Sequence, residues 1–227
     1  LIDSAWASFY NDNVMYLGEV MIIYSRENEI STDSQNKRQQ ILEAAYVVFS
    51  RKGFHRATVD EIIALADTGK GTVYNYFVNK EQLFYTLIKE RSTPFEQILS
   101  EIAKTGLPPL DKIRAMVKVF LQFYSDNADL WRVLMHELRG LGSEGYSSFS
   151  EEQQEKYQQR FRDTIGLLQV VFQEGITQGV IRECDTNRVA YGLFSVIVMM
   201  VFQHLVGDDV EATANEITSV FFYGVGQ

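Results

Sequence analysis

Cysteine is almost absent: Cys184 is the single thiol in 227 residues. One thiol excludes an intramolecular disulfide and argues against a zinc cluster, so a reducing, cytoplasmic setting is expected. Histidine is nearly as scarce, with three copies, and His136-Glu137 lacks the second histidine of an H-E-x-x-H helix. No E-x-x-H pair suits a di-metal bundle either, so neither a metal site nor a cofactor is expected. Three prolines, Pro94 and the adjacent Pro108 and Pro109, leave long stretches open to helices. Long apolar runs are missing too. Val14 to Tyr24 is interrupted by Glu19, and Val189 to Phe202 covers fourteen residues. Both fall short of the ~20 residues that a spanning helix needs, so no membrane partner is expected.

Catalytic signatures are equally thin. Gly140 to Gly145 spells G-x-G-x-x-G, but it follows a helical pattern instead of a strand, which makes it a loop coincidence. Gly69-Lys70 lacks the rest of a phosphate loop, and no serine–base arrangement stands out. An enzyme is not expected.

Positive charge is the remaining shortage. Lys and Arg number 21 against 30 Asp and Glu, a net charge of -9. The distribution says more than the sum. Asn36 to Arg91 holds nine basic residues against six acidic ones, while the segments before and after are both acidic. A basic surplus confined to one stretch fits phosphate contact confined to one face.

That stretch has a readable order. Leu1 to Thr32 shows no clear period and lacks the basic front and cleavage pattern of a signal peptide. Residues 1–34 are expected to be a disordered arm or upstream sequence, with the natural start at Met15, Met21 or later. From Gln35 to Lys52, Ile41, Ala44, Ala45, Val48 and Phe49 recur at helical steps, and Gly53 is the expected cap. Thr58 and Glu61 then form a T-x-x-E capping box, with Val59, Ile62, Ile63 and Ala66 as the inner stripe. After Asp67 and Thr68 the chain restarts at Gly69, and the short segment Lys70 to Phe77 buries Val73 and Phe77. Lys70, Gly71, Thr72, Tyr74, Asn75 and Tyr76 are left outside that seam. A helix N-terminus offers free N–H groups to a phosphate, and Gly71 permits close approach of the backbone. Asn79, with Gln82 three residues on, opens a further helix and puts Lys80 in its first turn.

The T-x-x-E-I-I-x-x-A helix, the K-G-T-V-Y-x-Y-F segment and the N-K-E-x-L-F entry together resemble the DNA-binding domain of the TetR family of transcriptional regulators. The likeness covers about sixty residues, Gln35 to Thr93. It departs from the family in the turn, where Asp67, Thr68 and Gly69 replace the usual glycine, apolar residue and cap. The resemblance implies that Lys70, Gly71, Thr72, Tyr74 and Asn75 lie at the major groove. It also implies that Tyr76 and Lys80 hold phosphates, and that Thr58 caps its helix and touches the DNA backbone.

Downstream, helical patterns recur to the C-terminus. Expected segments are Lys80 to Ile102, Leu110 to Tyr124, a helix after Asn127 through Leu138, Glu151 to Gln173, one after Asp185 or Thr186, and Glu211 to Phe222. Val189 to Phe202 is apolar except for Gly192 and Ser195, so it is expected to be buried on both sides, the second by another subunit. The fold expected is all-α. It comprises an N-terminal three-helix helix-turn-helix domain at 35–93 and a larger helical effector-binding and dimerisation domain at 94–227. The family resemblance implies a homodimer on a near-palindromic double-stranded operator, with the half-sites read about 34 to 36 Å apart. It also implies a small-molecule effector that shifts the helix beginning at Lys80. Candidate effector contacts are Phe120, Tyr124, Trp131, Met135, His136 and Arg139. The competing assignment is a helical small-molecule-binding or interaction protein without DNA binding. The intact set of Lys70, Tyr74, Tyr76 and Lys80 argues against it.

Overall fold

The helical periods become nine α-helices, with no strand, among the residues described by this computed structural model, 33–139 and 149–224. Residues 1–32, including most of the expected N-terminal arm, lie outside the described residues, as does the Gly140 to Gly145 run.

α1 (Asp33–Arg56) buries Ile41, Ala45 and Phe49, which stand four residues apart on one face. Gly53 interrupts it with φ 75° and ψ 168°, a conformation that other residues adopt only under strain. The expected cap is therefore a break, followed by a last short turn to Arg56. Beyond it Phe54 folds inward and meets the Phe84 ring edge-on, with centroids 5.2 Å apart.

α2 (Val59–Leu65) and α3 (Lys70–Tyr76) pack against α1 and each other. α4 (Lys80–Lys104) then runs from this small cluster into the larger body. It buries Leu83, Phe84, Leu87 and Ile88 toward the first, and Phe95, Leu99 and Ile102 toward the second. The expected division between residues 93 and 94 falls inside this one helix. Pro94 cannot donate to the ladder. One turn earlier, the Lys89 carbonyl accepts from Thr93 Oγ1 at 2.7 Å and Ser92 Oγ at 3.3 Å.

The larger body surrounds α5 (Pro109–Asp126), which packs against α4 together with α7 (Glu151–Thr177), α8 (Thr186–Phe202) and α9 (Val210–Tyr223). Ile113, Met116, Val117, Phe120 and Leu121 of α5 are all 0% exposed. α6 (Ala128–Arg139) bridges back to α1. Lys112, buried near the start of α5, donates to Glu174 Oε2 at 2.8 Å and to the Ala103 carbonyl at 3.0 Å. A buried ammonium persists only when paired in this way. α7 extends a turn beyond its expected end. Gly175 lies within the helix, at a position that takes glycine because a Cβ there would sit 2.5 Å from Ile181 Cδ1 and 3.3 Å from Pro109 Cβ.

α8 buries Ala190, Leu193, Phe194, Ile197 and Val201 on one side. Its other side exposes Gly192, Ser195, Val196 and Met199. α9 repeats the division, with Ala214 and Ile217 inside and Val220 and Tyr223 outside. Two neighbouring helices thus leave an apolar face uncovered within one chain. Such a face is expected where a second subunit packs.

Candidate nucleic-acid interface and effector cavity

α3 is positioned by local chemistry on both sides of it. Thr58 Oγ1 accepts from the Glu61 N–H at 3.3 Å, and Glu61 Oε2 accepts from the Thr58 N–H at 3.2 Å. This reciprocal box fixes the start of α2. Lys52 hydrogen-bonds Glu61 and, with the Thr58 N–H, holds its carboxyl below the ordinary 4.5. The turn after α2 passes through Asp67 at φ 43°, a left-handed conformation that aspartate tolerates. The substituted turn thereby keeps a left-handed bend. At the far end, Asn79 Oδ1 accepts from the Gln82 N–H at 2.8 Å, and Gln82 Oε1 accepts from the Val78 N–H at 2.6 Å.

Between these anchors, Val73 and Phe77 are 1% and 2% exposed. Lys70, Gly71, Tyr74 and Asn75 are exposed, and Thr72 and Tyr76 are half-buried. The structure therefore gathers the expected groove residues on the solvent side of α3. Thr58 is also exposed, one helix away. Lys70 Nζ lies 3.2 Å from Asp60 Oδ1, and both side chains are more than half exposed, so the pair is readily exchanged for another anion.

Lys80 is placed differently. Its ammonium donates to the carbonyls of Phe54 at 2.9 Å and Ala57 at 3.2 Å, and sits 4.5 Å from the centre of the Phe54 ring. It ties the segment between α1 and α2 to the start of α4. A phosphate contact by Lys80 requires these bonds to be exchanged.

A second site lies between α4, α5, α6 and α7. Tyr124, Trp131 and Met135 line it together with Phe95, Leu134 and Phe161, around a cavity of about 30 Å³. This volume suits one water molecule, so a larger occupant must push the lining apart. Phe120 does not line the cavity. It is fully buried one layer deeper, edge-on to Phe95 and Phe194 at 5.1 and 5.9 Å. His136 is turned away, with its side chain 80% exposed. Trp131, Leu134, Met135 and Leu138 share one stripe of α6, and five helical steps from Trp131 carry His136 about 140° around the axis. Arg139 ends α6, and its side chain lies outside the described residues.

The polar part of this lining escaped the sequence reading. Arg160 Nη2 meets both carboxylate oxygens of Glu96, at 2.9 and 2.7 Å, and Ser92 Oγ at 2.9 Å. Tyr157 and Thr164 complete the α7 side. The available signal was the spacing of Tyr157, Phe161, Thr164 and Leu168, an inner stripe at helical steps that begins in the polar first half of the helix. Burial raises the phenol pKa of both Tyr124 and Tyr157, so each remains an O–H donor.

A wider groove of about 560 Å³ lies between α1 and the end of α2, lined by groups such as Lys37, Gln40, Glu43 and Asp67. It is open to solvent, and its walls mix these polar groups with Ala44, Val47 and Leu65.

Comparison with known proteins bears on the family and the fold. The model for bacterial regulatory proteins of the tetR family matches residues 41–86. A model for a tetracyclin repressor-like C-terminal domain matches residues 106–201. Together they take in the helix-turn-helix and most of the larger body. The fatty acid metabolism regulator protein of Bacillus subtilis is 25% identical over 193 residues, covering 83% of this chain and 95% of its own. The uncharacterized HTH-type transcriptional regulator YhgD of the same organism is 26% identical over 169 residues, covering 74% and 84%. Among solved structures, the transcriptional regulator FadR from Bacillus subtilis in complex with stearoyl-CoA shares the fold. Its TM-score is 0.68 at 24% identity, covering 83% of this chain and 99% of that one.

Proposed function

Because the chain belongs to the TetR family of bacterial transcriptional regulators, we propose that it is a homodimeric repressor held on a near-palindromic operator and released by an effector with an acyl chain. The observation that carries the DNA-binding part is the exposed side of α3, where Lys70, Gly71, Tyr74 and Asn75 stand clear of the Val73 and Phe77 anchors. In this reading Asn75 and Lys70 donate to base edges, and Thr72 and Tyr74 add apolar or hydroxyl contacts. Thr58 and Tyr76 position the backbone.

Dimerisation supplies the second reading helix. The exposed Val196, Met199, Val220 and Tyr223 form the uncovered face of α8 and α9, and their burial against the same face of a second chain closes a two-fold assembly. An acyl effector is supported by the apolar cavity beneath Trp131 and by the name of the fatty acid metabolism relative. α4 carries Ile88, Ser92, Phe95 and Glu96 on the cavity wall and Lys80 at its other end, so expansion of the cavity and movement of the reading helix share one element. The coupling required is on the order of 1–3 kcal/mol.

The test is selection of bound sequences from a random DNA pool, followed by titration of the selected duplex with acyl compounds of graded length. A palindrome released by longer chains is expected. Recovery of no consensus sequence would overturn the DNA-reading role, and indifference to every acyl compound would overturn the effector class.

A further inference from the structure

α2 and α3 carry one cation between them, Lys70, and two acids, Asp60 and Glu61. Glu61 is committed to Lys52 and to the Thr58 cap. Asp60 takes Lys70, whose Nζ donates to Oδ1 at 3.2 Å, with the two side chains 74% and 65% exposed. This placement is costly on a surface that meets phosphates. It offsets the single positive charge of the two helices and turns an acid toward a polyanion. An acid there is useful where it accepts from a base, and the major groove offers such donors at cytosine N4 and adenine N6. Exposure leaves the pair free to trade partners, yet the ammonium need not leave. It has three N–H donors and gives one to Asp60, while the carboxylate keeps a second oxygen, Oδ2.

A donor and an acceptor held side by side match the edge of one base pair. Within G·C, guanine O6 accepts from cytosine N4, so the two atoms lie a hydrogen bond apart, about 2.9 Å. That is close to the 3.2 Å between Nζ and Oδ1. Guanine also presents N7, which gives two acceptors for the two remaining N–H groups. An A·T pair suits the unit less well, because a methyl group crowds thymine O4 and the N7 acceptor flanks adenine N6.

We infer that Asp60 and Lys70 read one G·C base pair of each half-site as a unit. Lys70 Nζ donates to guanine O6 and N7, and Asp60 Oδ2 accepts from cytosine N4. This rests on the DNA-reading role above and adds to it a specificity-determining residue of α2. The reciprocal box of Thr58 and Glu61 fixes the first turn of α2, and with it the position of Asp60.

Selection from a random DNA pool with full-length wild type and Asp60→Ala tests this, followed by titration of the wild-type consensus and of a random duplex. Wild type is expected to select a G·C pair at a symmetric position of each half-site. Asp60→Ala should lose preference at that position alone, with affinity for the consensus lowered about five- to a hundredfold. Its affinity for random duplex should rise about two- to fivefold at low salt, because a negative charge beside the phosphates is gone. A merely repulsive role moves both affinities upward together. Methylation of N4 on the selected cytosine supplies a readout that leaves the protein intact. The methyl group replaces the hydrogen facing the groove, so wild type should lose a similar factor while Asp60→Ala is indifferent. A rise in affinity for both duplexes, lost preference at several positions, or wild-type binding unaffected by the methyl group overturns the inference and leaves DNA reading standing. Recovery of no consensus by wild type overturns both.

Discussion

His55 Nε2 lies 3.1 Å from Oε2 of Glu137, a carboxylate whose side chain is only 2% exposed. At this distance the imidazole nitrogen and the buried carboxylate oxygen are in direct contact. The contact joins the last turn of α1 to α6, next to Leu134 and Leu138 of the cavity wall. Glu137→Gln is expected to keep effector-free operator affinity within about threefold while shrinking the effector's influence on it, against a normal coupling of about 1–3 kcal/mol. Fluorescence anisotropy of labelled operator, with and without effector, measures this. An unchanged ratio would remove Glu137 from the coupling.

Thr58→Ala breaks one half of the capping box and should lower stability by about 1 kcal/mol, read from denaturant midpoints. Glu61→Gln keeps the capping acceptor and loses the charge. The carboxyl of Glu61 titrates below 4.5 when folded, held there first by Lys52 and then by the Thr58 N–H. A depressed folded pKa adds stability above the unfolded value, and this is lost as pH falls through the folded one. The difference between wild type and Glu61→Gln should therefore be present at neutral pH and close below about pH 4.5. A gap of constant size across that range would exclude the carboxylate as its source.

Lys80→Ala separates two roles that one lysine can hold. Its bonds to the Phe54 and Ala57 carbonyls assign it to the joint between α1 and α4, so the expected effect is a lowered melting temperature with little change in the salt dependence of DNA binding. A salt slope reduced by about one phosphate, at unaltered stability, would instead assign it to the DNA backbone.

Asn75→Ala should relax sequence preference at one operator position, at a cost of about 1–3 kcal/mol on the preferred base. Competition among single-base operator variants shows whether the loss is local. Uniform weakening at all positions would move Asn75 from base reading to positioning.

Met199→Glu places a charge in the uncovered face of α8, where Met199 is 56% exposed in the single chain. A monomer by sedimentation is expected, with operator affinity reduced at least about tenfold. A dimer of wild-type strength would locate the subunit contact elsewhere.

Features governed by near neighbours were legible in the sequence. The Thr58–Glu61 box and the Asn79–Gln82 cap both depend on residues within a few positions, and each forms as its local pattern implies. The ends of α1 and α7 were less legible, because Gly53 breaks a helix that resumes and Gly175 answers to Ile181 and Pro109. Lys80 was read by analogy with a surface role, while its partners lie more than twenty positions back along the chain. The Arg160–Glu96 pair spans sixty-four positions and has no local signature. The outward turn of His136 follows from helical phase alone, once Trp131 is taken as the inner reference.

α4 is a single helix of 25 residues with the cavity wall on its middle turns and the reading unit attached at its start. At 1.5 Å per residue it is a rod roughly 37 Å long. Pivoted about Lys104, a tilt of about 5° sweeps Lys80 through about 3 Å, about the length of a hydrogen bond. The same tilt displaces Phe95 by only about 1 Å, since it stands much nearer the pivot. A molecule that widens the cavity by the thickness of less than one methyl group is thus geared up nearly threefold at the far end. In a symmetric pair the two sweeps combine, so under the proposed mechanism a shift of about 1 Å at the cavity wall becomes a change of several ångströms in the separation of the two α3 helices.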